Sequence, residues 1–148
     1  LREFGGLPHR LELVAAVAGV RYYDDSKATN VDAVRRAIEC FEAPIVLLLG
    51  GRNKRGDFRL LEESVRRRVK QLVLFGEAGE EIAAALGAAA GACRAQSMAE
   101  AVEAAGRMAA PGDVVLLSPG CASFDMYENY ARRGEDFRRN VARRVQAR

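Results

Sequence analysis

The chain has 148 residues, enough for one domain around one sizeable core. Its balance of 49% hydrophobic and 29% charged residues is that of an ordinary globular protein in water. No apolar run approaches the roughly 18 residues of a membrane span, and Leu1 to Pro8 lacks the apolar core of a signal peptide. The start also lacks an initiator Met, which fits a segment cut from a longer chain. Cys40, Cys93 and Cys121 are odd in number and widely spaced, and His9 is the sole histidine. A structural zinc site is therefore not expected, and three unpaired thiols suit a reducing cytoplasm. The net charge is +3, with the excess gathered in Arg132, Arg133, Arg138, Arg139, Arg143, Arg144 and Arg148. A solvated helix face with Glu135 and Asp136 interspersed accounts for this better than a nucleic-acid surface.

In chain order, residues 1–8 read as a linker, with Gly-Gly and a Pro. Leu11 to Val17 and Val20 to Asp24 read as two strands of a hairpin turning at Ala18-Gly19. The period of Val34, Ala37, Ile38 and Phe41 predicts a helix over Asn30 to Phe41, capped by Asn30 or Thr29. Ile45 to Leu49 is apolar throughout, which suits a parallel strand buried on both faces. Leu60, Leu61, Ser64, Val65 and Val69 give a helix, and Leu72 to Phe75 the next buried strand. A short helix at Ile82 to Leu86 follows, then a weak strand around Cys93, a helix from Met98 to Met108 and a third strong strand at Val114 to Leu117. The tail is helical from Phe137 to Val145. This alternation predicts an α/β fold: a Rossmann-like three-layer domain over residues 9–148. Its mostly parallel sheet has about six strands, with an antiparallel edge strand from the opening hairpin.

Polar loops follow three of these strands at the same end of the sheet, where ligands bind in such folds. They are Asp25 to Asn30, Gly50 to Asp57 and Ser118 to Asp125. Taken singly, each has an ordinary explanation. Gly50-Gly51 is a tight turn, Lys54 and Arg55 are solvated charges, and Ser123 caps a helix over Phe124 to Tyr127. Together, Lys27, Arg52, Lys54 and Arg55 with Ser26, Thr29, Ser118 and Ser123 make a site for carboxylates or phosphates. No GxGxxG fingerprint or GxxxxGK[ST] phosphate loop occurs. Cys121 lacks a base nearby in sequence and reads as a packed loop cysteine.

Several strings carry a family resemblance. They are Gly6-Leu7-Pro8-His9-Arg10, Asp25-Ser26-Lys27-Ala28-Thr29-Asn30, Leu49-Gly50-Gly51 with Lys54, and Leu116-Leu117-Ser118-Pro119 running into Ala122-Ser123-Phe124-Asp125. In order and spacing they resemble the C-terminal domain of the Mur ligases, and within that family the members that add D-glutamate. The resemblance implies the last domain of a three-domain cytoplasmic enzyme, inactive alone, that works on peptidoglycan precursors. ATP would activate the carboxylate of UDP-N-acetylmuramoyl-L-alanine as an acyl phosphate, and the D-glutamate amine would attack it. Mg2+ would be held mainly by the central domain, with no metal ligand in this chain. By the same resemblance, Thr29, Lys54, Ser123, Phe124 and Tyr130 would hold D-glutamate. Tyr130 stands where the family often has Phe. His9, Arg10 and Asp25 would meet the nucleotide, and Lys27 would both touch it and offset charge during catalysis. Arg52 and Asn53 replace an acidic neighbour that other members often place beside the lysine. A ligase of the same superfamily for another amino acid, and a non-catalytic nucleotide-binding α/β module, are the alternatives. Neither a nucleic-acid nor a membrane partner is expected.

Overall fold

A computed structural model describes residues 9–147; the expected linker over residues 1–8 lies outside them. Six strands form one sheet in the order β1-β2-β6-β3-β4-β5: β1 Glu12–Val17, β2 Val20–Asp24, β3 Ile45–Gly50, β4 Val69–Phe75, β5 Gly91–Arg94 and β6 Val114–Leu117. Only β1 and β2 pair antiparallel, at the edge the hairpin predicted; every other pairing is parallel. Ala18 and Gly19 both take positive φ, 53° and 81°, the backbone of a two-residue turn that follows strand twist.

Helices cover both faces. On one side α1 Val31–Glu39, a 3-10 turn at Phe58–Leu61, α2 Glu62–Arg68 and α3 Gly79–Leu86 pack on Leu47, Leu49, Leu72 and Leu116. On the other, α4 Met98–Met108 and α5 Tyr130–Gln146 pack on Val46, Leu48, Val73 and Leu117. Alternate residues of the apolar strands thus feed opposite cores, so the strands lack an exposed polar face.

Three boundaries differ from the sequence reading. Val69 lies four residues after Val65 and so mimics a helical repeat, yet the chain passes from Arg68 straight into β4. Helix α5 starts seven residues before Phe137, at Tyr130, because the Asn129 side chain caps it by accepting from Arg132 N–H at 3.0 Å. Its first two turns carry Arg132, Arg133, Gly134, Glu135 and Asp136, which show no apolar period. Ser123 starts a turn rather than a helix: its carbonyl accepts from Met126 and Tyr127 N–H at 3.0 and 2.8 Å. At α1 the choice of cap falls to Asn30, which accepts from Ala33 N–H at 2.8 Å.

The loops after β2, β3 and β6 are stitched together. Asp25 N–H donates to Leu117 O, Ser118 N–H to Leu48 O, Gly50 N–H to Pro119 O and Gly120 N–H to Ala28 O, at 2.8–3.2 Å. Arg52 and Ala122 exchange both backbone bonds across an isolated bridge. Gly50 and Gly51 adopt φ of 150° and 133°, and a Cβ on Gly50 would lie 2.0 Å from Phe75 O, so this turn requires glycine. The Asp25 carboxylate adds a side-chain staple. Its Oδ2 accepts from Ser118 Oγ at 2.8 Å and its Oδ1 from Leu11 N–H at 3.1 Å.

Helix α5 is locked to the β2 loop by Arg133, which is fully buried. Its Nη2 donates to Ser26 O at 2.9 Å and its Nη1 to Cys121 O at 3.1 Å. Gly134 allows the approach: a Cβ there would lie 2.4 Å from His9 Nδ1, 2.5 Å from Ser26 Oγ and 2.8 Å from Asp24 Oδ2.

Two stability predictions follow from these contacts. Alanine in a helix interior normally gains about 1 kcal/mol over glycine, but Gly134→Ala should lose about 1–3 kcal/mol through overpacking. Urea unfolding measures the sign, and a net gain would show that the helix is free to move away. For Asp25, burial pushes the carboxyl up to about 7, against the opposing pull of the Ser118 and Leu11 hydrogen bonds. An acid raised on folding binds more protons in the folded state. Its stabilising contribution is full below the unfolded value of 3.8 and is lost as pH rises through about 7. The stability of Asp25→Asn minus that of the parent chain should therefore grow from about pH 4 to about pH 7. Urea midpoints across that range test it, and a pH-independent difference refutes it.

Candidate functional site

The site is the rim formed by these stitched loops, at the carboxyl ends of β2, β6 and β3. Two connections leave this rim toward opposite faces: the β2 loop into α1 and the β6 loop toward α5. That divergence is the crevice where open α/β sheets take ligands.

On the β2 loop, Lys27 is half-buried and its Nζ donates to the Tyr130 hydroxyl at 3.1 Å, lying 5.0 Å from the ring centroid. The loop after β2 and the first residue of α5 therefore meet, although 103 positions separate them in sequence. Thr29 stands half-buried on the same loop, with its hydroxyl in no hydrogen bond among the described residues. Asp25 reaches the rim differently from Lys27. Both its oxygens already accept internal bonds, so it shapes the rim at least as much as it faces it.

His9 enters beside them. Its Nδ1 lies 2.6 Å from Asp24 Oδ2, its carbonyl accepts from Lys27 N–H at 3.0 Å, and its ring meets Tyr130 edge-on at 6.3 Å. Asp24, fully buried, also accepts from Arg138 Nε at 3.1 Å and from Ser26 N–H at 2.9 Å. Arg138 in turn pairs with Glu12. Sequence reasoning leaves Asp24 as a strand end and puts Arg133 and Arg138 on a solvated helix face, whereas Asp24 and Arg133 are fully buried. The signal available was two successive carboxylates closing an apolar strand, since one of them must point into the body of the domain.

The β3 loop presents Lys54, exposed, with Nζ 5.5 Å from the Phe124 ring centroid. Its neighbours are occupied. Arg52 forms a two-point pair with Glu77 at 3.0 and 3.1 Å, and the Asn53 amide ties Gly56 O at 3.1 Å and Glu81 at 2.9 Å. Carboxylates from α3 and the turn before it, Glu81 and Glu77, meet this loop. They engage Arg52 and Asn53, and Lys54 forms no ion pair among the described residues. On the β6 loop, Phe124 is 56% exposed while Ser123 is buried, its hydroxyl in no hydrogen bond among the described residues. Cys121 is wholly buried and its thiol is pushed up to about 12 by that burial, which fits a packed cysteine.

Two groupings emerge. Lys27, Tyr130 and His9 gather around α5, while Lys54 and Phe124 gather at the β3–β6 junction. Beside the first, a cleft of about 370 Å³ opens between the β2 loop and α1. Arg10, Lys27 and Arg36 supply its cations, Asp25 its carboxyl, and Leu11 and Ala37 part of its apolar floor. Arg10 is exposed and makes no ion pair among the described residues. An apolar floor rimmed by cations suits a flat ring system carrying anionic groups.

Comparison with known proteins agrees with this architecture. The model of the family described as Mur ligase, glutamate ligase domain matches residues 9–121. A UDP-N-acetylmuramoylalanine--D-glutamate ligase of Desulfatibacillum aliphaticivorans is 55% identical over 138 residues, covering 93% of this chain and 31% of that protein. The enzyme of the same name from Desulfosudis oleivorans is 56% identical over 134 residues, covering 90% of this chain and 29% of that protein. Among solved structures, the UDP-N-acetylmuramate-alanine ligase of Thermotoga maritima shares the fold at a TM-score of 0.66 and 14% identity, over 98% of this chain and 32% of that one. An E. coli FolC in complex with ADP shares it at 0.64 and 21%, over 93% and 32%. The chain thus spans about three tenths of the length of these relatives. Matched from His9 through Cys121 by the family model, and more than half identical to both relatives, it belongs to the Mur ligase family through that family's glutamate ligase domain.

Proposed function

We propose that the chain is the amino-acid-binding, ATP-closing domain of a cytoplasmic ligase that joins D-glutamate to UDP-N-acetylmuramoyl-L-alanine. The observation that carries this reading is that two lysine–aromatic pairs, Lys27 with Tyr130 and Lys54 with Phe124, stand at the loops of one rim in a chain more than half identical to ligases of that name.

In this reading ATP is a substrate whose γ-phosphoryl group passes to the L-alanine carboxylate, the bond to its bridging oxygen breaking and ADP leaving, to give an acyl phosphate. The glutamate nitrogen then forms the C–N bond, the bond to the phosphate oxygen breaks, phosphate leaves, and the amine gives up a proton. This domain's residues bind and orient. Lys54 takes one glutamate carboxylate, with Thr29 and Ser123 donating hydroxyl hydrogen bonds and the Phe124 and Tyr130 rings walling the site. Holding the amine against the acyl carbon is a gain in position, and such gains are large. Lys27 supplies positive charge where negative charge builds up on the acyl phosphate. Arg10 and the cleft beside α1 receive the nucleotide, with Asp25 and His9 at its edge. The described residues hold no group of three or more His, Cys, Asp or Glu that could bind a metal ion. The reading gives Mg2+ mainly to the central domain of the whole enzyme.

The test is ATP-dependent ligation by the full-length parent enzyme, with D-glutamate set against L-glutamate. Lys54, Thr29 and Ser123 suit any amino acid with a second carboxylate, so turnover of L-glutamate alone would overturn the substrate assignment. In the parent, Lys54→Ala should raise the KM for D-glutamate by about tenfold or more, the loss of one charge-assisted contact of about 1.5–3 kcal/mol. Lys27→Ala should instead lower kcat. Unchanged kinetics in either variant would remove that lysine from the site.

A further inference from the structure

The contact between Lys27 and Tyr130 has a geometry that ring packing alone does not require. The ammonium donates to the phenol oxygen at 3.1 Å, and its Nζ lies 5.0 Å from the ring centroid. A phenol that accepts a hydrogen bond keeps its own O–H to donate, and an ammonium that gives one N–H keeps two more. The pair therefore offers donors from two elements at one point.

Both ends are fixed by independent contacts. Lys27 is held through its backbone, its N–H donating to His9 O at 3.0 Å. Tyr130 is the first residue of α5, set by the Asn129 cap on one side and the edge of His9 on the other. Arg133, one turn further along α5, donates to Ser26 O at 2.9 Å and sets the spacing between loop and helix. The tyrosine hydroxyl makes no other hydrogen bond among the described residues.

We infer that the Tyr130 hydroxyl is a positioning group that aims the Lys27 ammonium at one anionic oxygen of the reacting carboxylate or acyl phosphate. This rests on the ligase reading above, which puts Lys27 on the phosphoryl side. It divides the tyrosine into two parts: the ring walls the amino-acid site, and the hydroxyl sets the lysine.

The experiment combines a double-mutant cycle in the parent enzyme with a spectroscopic readout on the 148-residue chain. Tyr130→Phe keeps the ring and the fold. It should lower kcat about tenfold, the scale of one hydrogen bond to a charged group, while the KM for D-glutamate moves by less than about twofold. In a Lys27→Ala background the same change should cost nothing further. An equal penalty with and without Lys27, or a rise in KM with kcat intact, would overturn the inference. Independently, a nitrogen–proton spectrum of the lysine ammonium groups should show the Lys27 signal retained against solvent exchange in the parent chain and lost in Tyr130→Phe. Absence of that difference refutes the tether whatever the enzyme does. A retained signal in a parent that fails to ligate D-glutamate overturns the ligase reading and leaves the tether standing.

Discussion

The site depends on one buried cation. Arg133 is fully enclosed, its charge faces two backbone carbonyls instead of a carboxylate, and burial lowers its pKa to about 10. Removing a guanidinium from water is expensive unless its donors are met. Here Ser26 O and Cys121 O meet two of them, while Nε has no partner. Those carbonyls belong to the loops after β2 and β6. The cost of burying the charge is offset only when both loops and α5 sit in one arrangement, so the residue fixes the frame in which Lys27, Tyr130 and Ser123 find their places. Replacing it with an apolar side chain would leave both carbonyls buried and unanswered.

Around that frame, the acidic side chains are also engaged internally. Asp24 binds His9, Arg138 and Ser26 N–H, and Asp25 binds Ser118 and Leu11 N–H. Two adjacent carboxylates at the end of one strand thus point to different tasks. The first ties the domain's entry and α5 to the sheet. The second ties β2's loop to β6's while lining the cleft. In an alternating strand, neighbouring side chains must face opposite sides, and the two helical layers give each carboxylate different partners.

Much of this was legible in the sequence, for identifiable reasons. Ile45 to Leu49 and Val114 to Leu117 announce strands buried on both faces, and that pattern alone places the following loops on a common rim. Asn30 is a strong cap, and the helices at Val31–Glu39 and Met98–Met108 fall where expected. Helix α5 was only half visible, since its first two turns carry the buried Arg133 and the packed Gly134, and neither fits an apolar period. The arginine looked like solvated charge because burial of a cation is decided by carbonyls distant in sequence. The same distance hid the pairing of Lys27 with Tyr130, whose residue types were recognisable as site residues while their contact was not.

The pairing of the remaining cations shows why the rim can attract an anion at all. Arg52 and Arg138 are neutralised by Glu77 and by Asp24 with Glu12. Lys54 instead lies over the Phe124 ring, 5.5 Å from its centroid, and Lys27 donates to the Tyr130 hydroxyl at 3.1 Å. Neither an aromatic face nor a phenol oxygen cancels the charge of an ammonium, as a carboxylate would. An incoming carboxylate or phosphate therefore has no resident anion to displace, and the lysines have less conformational freedom to lose on binding it. A ring and a phenol in place of acids beside these two lysines are thus an electrostatic choice: the fold uses its carboxylates to hold loops in register and leaves Lys27 and Lys54 unneutralised.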